Sequence, residues 1–586
     1  MPSTLEGTHR SPPPGIPEGS PVSVETSPRQ APAARPNRQA GKATGAWADG
    51  DRTPLNHNEE FKQADDGLNV RARIEEVYAK QGFDSIAPDD LRGRMRWWGL
   101  YTQRKPGIDG GQTASLDPAE LDDQYFMLRV RSDGGALSTE QLRTVAGIST
   151  EFARDTADIT DRQNIQLHWI RVEDVPEIWR RLEGVGLTTA EACGDTPRVI
   201  LGSPVAGIAA DEVVDGTPAV REILERYIGS PEFSNLPRKF KTAVSGSPSL
   251  DVAHEVNDVS FVGVHHPDFG PGFDVWVGGG LSTNPMFAQR LGTWVSLAEV
   301  PEVWKGVVSI FRDHGYRRLR NRARLKFLMA DWGPEKFREV LEKEYLGRAL
   351  VDGPAPEQPS GHRRDHVGVH AQNDGRYWVG GTPVAGRVSG TTLYAVAELA
   401  ERHGSGRVRL TAHQKLLVLD VPEEATQAVA DGLEALGLPT TPSEWRRGVM
   451  ACTGIEFCKL ALVETKARAR TVVGELERRL PDLDVPFSIH VNGCPNSGAR
   501  TPVADVGLKG MVQKDEDGNL VEVFQVHLGG GLGTEPSLAR KTRALKVRAD
   551  DLPDYVERLA GRYLEQRETG ESFAAWARRA EEDDLR

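Results

Sequence analysis

Apolar and polar side chains alternate most clearly in two stretches of the first third of the chain. Phe126-Met127-Leu128-Arg129-Val130-Arg131 alternates with period two, as a half-buried strand does. Ile165-Gln166-Leu167-His168-Trp169-Ile170 reads as a second strand, with Gln166 and His168 on one face. Between them, Ser138 is placed to cap a helix that runs through Leu142, Val145 and Ala146. A strand, helix, strand order of this kind predicts an α+β fold.

The pattern then repeats. Val275-Trp276-Val277-Gly278-Gly279-Gly280-Leu281 recurs as Val526-His527-Leu528-Gly529-Gly530-Gly531-Leu532, 251 positions on (278 to 529). Gly135-Ala136-Leu137-Ser138 is matched by Gly386-Arg387-Val388-Ser389, and Gln163 by Gln414, at the same spacing of 251. Three separated matches at one spacing imply a duplicated unit with two pseudosymmetric halves. The triple-glycine segments lack the spacing and the lysine of a phosphate loop, so close backbone approach is the expected reason for them.

Residues 1–55 break the pattern. They are rich in Pro, Ser, Ala and Gly, hold few large apolar side chains, and read as a disordered tail. The 586 residues exceed one core and predict two or three domains. No apolar run approaches the ~20 residues of a membrane helix. A net charge of −13 argues against general nucleic-acid binding. Four cysteines are too few for a disulfide framework and point to metal or thiol chemistry in a reducing, cytoplasmic setting.

Three of those cysteines carry the chemistry. Cys452 and Cys458 form a C-x5-C pair, and Cys494 lies in Asn492-Gly493-Cys494-Pro495-Asn496-Ser497-Gly498. The spacing is too wide for a zinc ribbon and compatible with an iron–sulfur cluster. Buried free thiols are the bland alternative, and a three-cysteine metal module with His490 as fourth ligand is another. Lys239 and Lys241, two apart, share a face on an extended strand and repel unless an anion lies between them.

These segments resemble the sirohaem-dependent sulfite and nitrite reductases over roughly residues 65–586. The resemblance implies ferredoxin-like half-domains at 118–185 and 364–440, a sirohaem and substrate domain at 186–350, and an iron–sulfur and sirohaem domain at 441–586. It implies sirohaem and a 4Fe–4S cluster as cofactors. Arg129, Arg198, Lys239 and Lys241 match the residues that bind the anionic substrate, and Arg162, Gln166 and His168 match positions contacting the cofactor. Asn321, Arg322 and Lys326 resemble a basic loop beside the sirohaem. Tyr101 and Cys193 match a pair joined by a thioether in some members. Cys452, Cys458 and Cys494 match three cluster ligands. The fourth, which also bridges to the sirohaem iron, is replaced by Gly498.

The implied reaction is the six-electron reduction of sulfite to sulfide, or of nitrite to ammonia. No flavin or nicotinamide fingerprint is visible, so ferredoxin is the expected donor. The Lys239-x-Lys241 pair favours sulfite, because nitrite-specialised relatives often carry asparagine at the second position. A catalytically impaired relative that binds sirohaem or ferredoxin is the alternative that Gly498 raises.

Overall fold

The computed structural model describes Gly45 and residues 56–357, 363–533 and 536–586. The tail expected at 1–55 lies outside the described residues apart from Gly45. Among the described residues no helix is long and apolar enough to cross a membrane.

Among the described residues, four mixed or antiparallel sheets build the molecule, two per half. The strand expected around Phe126 spans Asp122–Val130 and pairs antiparallel with Ile165–Ile170, Arg129 opposite Gln166. Ser138 caps the helix Thr139–Phe152 in a capping box with Gln141. In the second half Tyr377–Gly381 pairs with Leu416–Val421, and Gly380 stands opposite Leu417. Arg129 and Gly380 are therefore equivalent positions.

The halves exchange edges. Arg387–Val388 joins the first-half sheet beside Ala157–Ile159, and Ala136–Ser138 joins the second-half sheet beside Arg407–Leu410. Glycine is required just before each exchanged strand. Gly135 (φ +70°) and Gly386 (φ +73°) have left-handed backbones, and a Cβ there would lie 2.3 Å from the Leu410 carbonyl oxygen or 2.2 Å from that of Ile159. Helix Thr139–Phe152 packs on Gly390–His403 so closely that a Cβ on Gly390 would come within 2.6 Å of the Ala146 carbonyl oxygen. Leu142, Val145, Leu393, Val396 and Ala397 close this shared core. Each such buried leucine or valine contributes about 1.5–3 kcal/mol through removal from water.

The other two sheets carry the rest of the site, facing Arg129, Gln166 and His168 on the first sheet. Leu201–Gly202 and Thr242–Ser245 run parallel in the first half, and Val449–Ala451 and Ile489–Asn492 do so in the second. Each pair is tied to its partner sheet by one glutamine. Gln163 bonds both backbone groups of Gly202 (2.9 and 3.0 Å), and Gln414 bonds those of Ala451 (3.0 and 3.2 Å). The glutamine match read from the repeat is thus a structural equivalence. It aligns Ser203 with Cys452 and Arg198 with Arg447. The triple glycines allow close approach: a Cβ on Gly279 would lie 2.5 Å from the Glu255 carbonyl oxygen, and one on Gly530 would lie 2.8 Å from that of Pro502.

Candidate functional site

Arg129 projects from its strand toward the loop before Arg198. Its Nη1 donates to the Ala192 carbonyl (3.4 Å), while its Nε is buried without a partner. Arg198 donates to the same carbonyl from Nη1 (3.3 Å) and to that of Gly194 from Nε (3.0 Å). Two guanidiniums thus meet beside the buried thiol of Cys193. Lys239 and Lys241 flank Phe240, which is fully buried, so both lysines point away from the core to one side. The Arg198 N–H donates to the Phe240 carbonyl (2.7 Å), which laces the two basic segments together.

The electrostatics follow from this crowding. Burial, and then Lys241, Arg324 and Arg198, push Lys239 well below its usual proton affinity. Lys241 is lowered to about 7 by burial and by Arg162, against the pull of Asp161 and Asp258. Arg162 falls to about 9 through burial, with Arg500 and Arg198 adding to it. Its guanidinium is anchored on Asn257 Oδ1 and the Val199 carbonyl, both at 2.6 Å. Cations that depress one another in a partly enclosed space, with an unpartnered guanidinium nitrogen among them, fit a polyanionic macrocycle and an oxyanion.

The remaining matched residues divide. Tyr101 lies on the strand Leu100–Arg104, with Arg96 over its ring at 5.6 Å. That segment meets the Cys193 loop through the Glu191 N–H, which donates to the Trp97 carbonyl (2.5 Å). Asn321 is exposed and Arg322 half-buried over Phe327. Lys326 is turned inward: its ammonium bonds the carbonyls of Gly280, Leu281 and Asn284, so it holds the triple-glycine loop. Gln166 and His168 face the cysteine loop. Gln166 Oε1 accepts from Thr453 Oγ1 (3.5 Å), and His168 stacks on Phe457 with ring centroids 3.9 Å apart. His168 also meets Asp158 at 3.2 Å.

The cysteines sit at the carboxyl ends of the parallel strands Val449–Ala451 and Ile489–Asn492. Parallel pairing sets Ala451 beside Val491, so Cys452 and the Gly493–Cys494 turn emerge side by side. The Gly493 N–H donates to Cys452 Sγ (3.3 Å), and the Leu462 N–H donates to the Gly493 carbonyl (2.8 Å), closing the Cys458 loop over the turn. Burial pushes all three thiols up, Cys494 to about 12 with Cys458 adding to it. Metal must therefore displace protons to bind. Among the described residues no three ligating side chains converge on a single ion. A cluster spreads its thiolates more widely, and the three adjoining thiols fit that donor set. His490 is directed elsewhere, with Nδ1 against the Arg500 carbonyl (3.2 Å).

Position 498 lies beside Cys452. A Cβ on Gly498 would lie 3.2 Å from Cys452 Cβ, and its backbone is not left-handed. Its equivalent in the first half is Asp251, which bonds Ser203 Oγ (2.7 Å), the equivalent of Cys452. A side chain at this position reaches residue 203 in the first half and would reach Cys452 in the second.

Several functional contacts escaped sequence reasoning. Phe457 looks like core. Asp258 accepts from the Lys241 N–H (2.8 Å) and from Arg324 (2.8 and 3.1 Å). Its equivalent Asp505 accepts from the Ser488 N–H (2.8 Å), but at a spacing of 247 rather than 251 (258 to 505), which hid the match.

The domain models of two-cofactor reductases account for most of the chain. The nitrite and sulphite reductase 4Fe-4S domain matches residues 193–350 and 444–586, and the nitrite/sulfite reductase ferredoxin-like half domain matches 119–185 and 370–436. The chain belongs to the nitrite and sulfite reductase family, whose members use sirohaem and a 4Fe–4S cluster. It is 62% identical to sulfite reductase (ferredoxin) 2 of Mycolicibacterium paratuberculosis, over 92% of this chain and 98% of the relative. The solved NirA protein of Mycobacterium tuberculosis is 61% identical, with a TM-score of 0.90 over 93% of this chain and all of that one. An assimilatory ferredoxin-dependent nitrite reductase of Haloferax mediterranei is 37% identical, over 88% and 90%.

Proposed function

We propose that this chain is a ferredoxin-dependent sulfite reductase that carries out the six-electron reduction of sulfite to sulfide. The observation that carries the reading is the crowding of basic side chains beside Arg129. Burial lowers Lys239, Lys241 and Arg162, with Lys241, Arg324 and Arg198 adding to it at Lys239, Arg162 at Lys241, and Arg500 and Arg198 at Arg162, and such crowding favours a bound anion. When bound, sirohaem supplies a redox-active iron and the 4Fe–4S cluster feeds it single electrons.

The chain's own residues do the rest. Arg162, held rigid by Asn257 and Val199, neutralises carboxylates of the macrocycle. Arg129 and Arg198, fixed on one carbonyl, orient the oxygens of the substrate. Lys241 titrates near neutrality, so its Nζ can release a proton to a departing oxygen and recover one. Lys239, whose proton a bound anion would restore, adds the second positive charge that a dianion needs. Cys193 and Tyr101 border the substrate side. His168 and Gln166 act as positioning residues through Phe457 and Thr453. Cys452, Cys458 and Cys494 would hold the cluster, and Asn321 and Arg322 line the outer rim.

Ferredoxin as donor is supported by the names of the relatives. The test is sulfide formation from sulfite with reduced methyl viologen, then with reduced ferredoxin. Rapid turnover of nitrite with none of sulfite would transfer the reading to nitrite reduction. One observation favours a second reading. Position 498 faces Cys452 and carries no side chain, so it would offer no thiolate to a cluster held by Cys452, Cys458 and Cys494. A protein that binds sirohaem but turns over neither anion would establish the impaired relative.

A further inference from the structure

A duplicated fold contains two copies of every position, and the second copy of the cation cavity can be traced residue by residue. Arg129, Arg162, Arg198 and Lys241 correspond to Gly380, His413, Arg447 and Ser488. Three of the four positions lose their charge: Gly380 and Ser488 carry none, and burial, with Arg500 adding to it, pushes His413 well below the ordinary imidazole value. Arg447 remains, and Lys415 lies two residues beyond His413. Lys415 is fully buried, and its Nζ has no hydrogen-bond partner; nor has the buried Nε2 of His413.

The chain that joins the halves runs through this second copy. A Cβ on Gly380 would lie 2.3 Å from the His366 carbonyl oxygen and 2.9 Å from Val367 Cα, so the joining segment fills the space from which Arg129 projects in the first half. Asp365 takes a bidentate bond from Arg447 (2.8 and 2.7 Å) and accepts from the Val367 N–H (3.1 Å). Burial opposes its ionisation, yet Arg447, with His413 behind it, holds the carboxyl at about 2. Its neighbour His366 bonds Asp251 (2.8 Å), which also accepts from Ser203 and Ser245 (2.7 and 2.8 Å). Asp251 and Ser203 are the counterparts of Gly498 and Cys452. One short segment therefore touches the counterparts of both the cation cavity and the cysteine site. Arg363 and Arg364 flank it, paired with Glu444 (2.6 Å) and Glu255 (3.4 Å).

We propose that the segment Arg363–Val367 is an internal plug in a second, latent oxyanion site, with the Asp365 carboxylate occupying the place of the anion. The first half takes its negative charge from outside; the second half takes it from its own chain. Removing that charge while keeping the shape leaves Arg447 and Lys415 without a counter-anion, so an external anion can displace the neutral plug.

The test uses the full-length holoenzyme and inorganic phosphate. Asp365→Asn should melt several degrees below the parent, and phosphate should raise its Tm while leaving the parent's nearly unmoved. Calorimetry should show one saturable phosphate site in the variant that the parent lacks. An unchanged Tm in Asp365→Asn, or a lowered Tm that phosphate does not recover, would overturn the proposal. If the variant fails to fold, hydrogen exchange on the unaltered holoenzyme decides: the Val367 amide should exchange as slowly as those of the strand Leu416–Val421. Exchange at the rate of an exposed linker overturns the plug.

Discussion

At the scale of single residues, two positions bear most on what this molecule can do. On the proposed reading Gly498 leaves the cysteine site one thiol short, although its backbone accepts a side chain and its Cβ direction meets Cys452 Cβ at 3.2 Å, a contact that yields with a shift of a few tenths of an ångström. Gly498→Cys should therefore raise iron per chain and the methyl-viologen-driven rate of sulfite reduction well above the parent. Equal iron content and equal rate would remove position 498 from the ligand set. Lys241 is the second. Buried beside Arg162, it holds its proton only below about pH 7, whereas in the unfolded chain it holds it to about 10.5. The folded protein thus binds fewer protons in the window from 7 to 10.5, and positive charge is lost from the cavity as pH rises through 7. Nitrite keeps its single charge across this range, so the KM for nitrite should rise with pH above 7, and Lys241→Arg should flatten the profile. Lys241→Asn should lower turnover with sulfite more than with nitrite, because the second cation matters most for a dianion. Matched losses would show that the lysine pair does not set preference. The cysteines and lysines were legible in sequence because spacing alone places two lysines on one face and a proline-bounded turn behind a strand. The inward turn of Lys326 and the stacking of His168 on Phe457 were not, since both depend on loops distant in sequence.

At the scale of elements, the halves are held by exchanged strands, each entered through a left-handed glycine. Gly386→Ala would force a Cβ against the Ile159 carbonyl oxygen at 2.2 Å and strain a backbone at φ +73°. It should cost about 2–4 kcal/mol, read as a lowered denaturant midpoint with the far-UV spectrum kept. Gly474→Ala, in the helix Lys466–Arg479 with nothing within 4 Å of the new Cβ, is the control and should be neutral or slightly stabilising. The strands around Phe126 and Ile165 and the helix behind Ser138 were readable because local periodicity and a cap specify them. The exchanged strands Arg387–Val388 and Ala136–Ser138 were not, being two or three residues long with partners some 250 positions away. So short a strand has no periodicity to read.

At the scale of the whole molecule, duplication yields, among the described residues, one three-cysteine site rather than two. Cys452, Cys494 and Gly498 of the second half are answered in the first by Ser203, Ser247 and Asp251, a buried hydrogen-bonded group with no thiolate. The purified protein should accordingly carry at most one sirohaem per chain, seen in its visible absorption and in extracted tetrapyrrole. Colourless protein without iron, even when co-expressed with sirohaem synthesis, would remove the reductase reading. The sequence by itself determined the family, the duplication and the residue types of the site, because glycine segments, a cysteine turn and paired lysines are local patterns that survive without knowledge of their neighbours. Only the tertiary structure decided which cations meet, which lose their protons, and which of two equivalent cavities stays open. Those outcomes depend on burial and on distances between segments far apart in the chain, and neither is written in the order of residues.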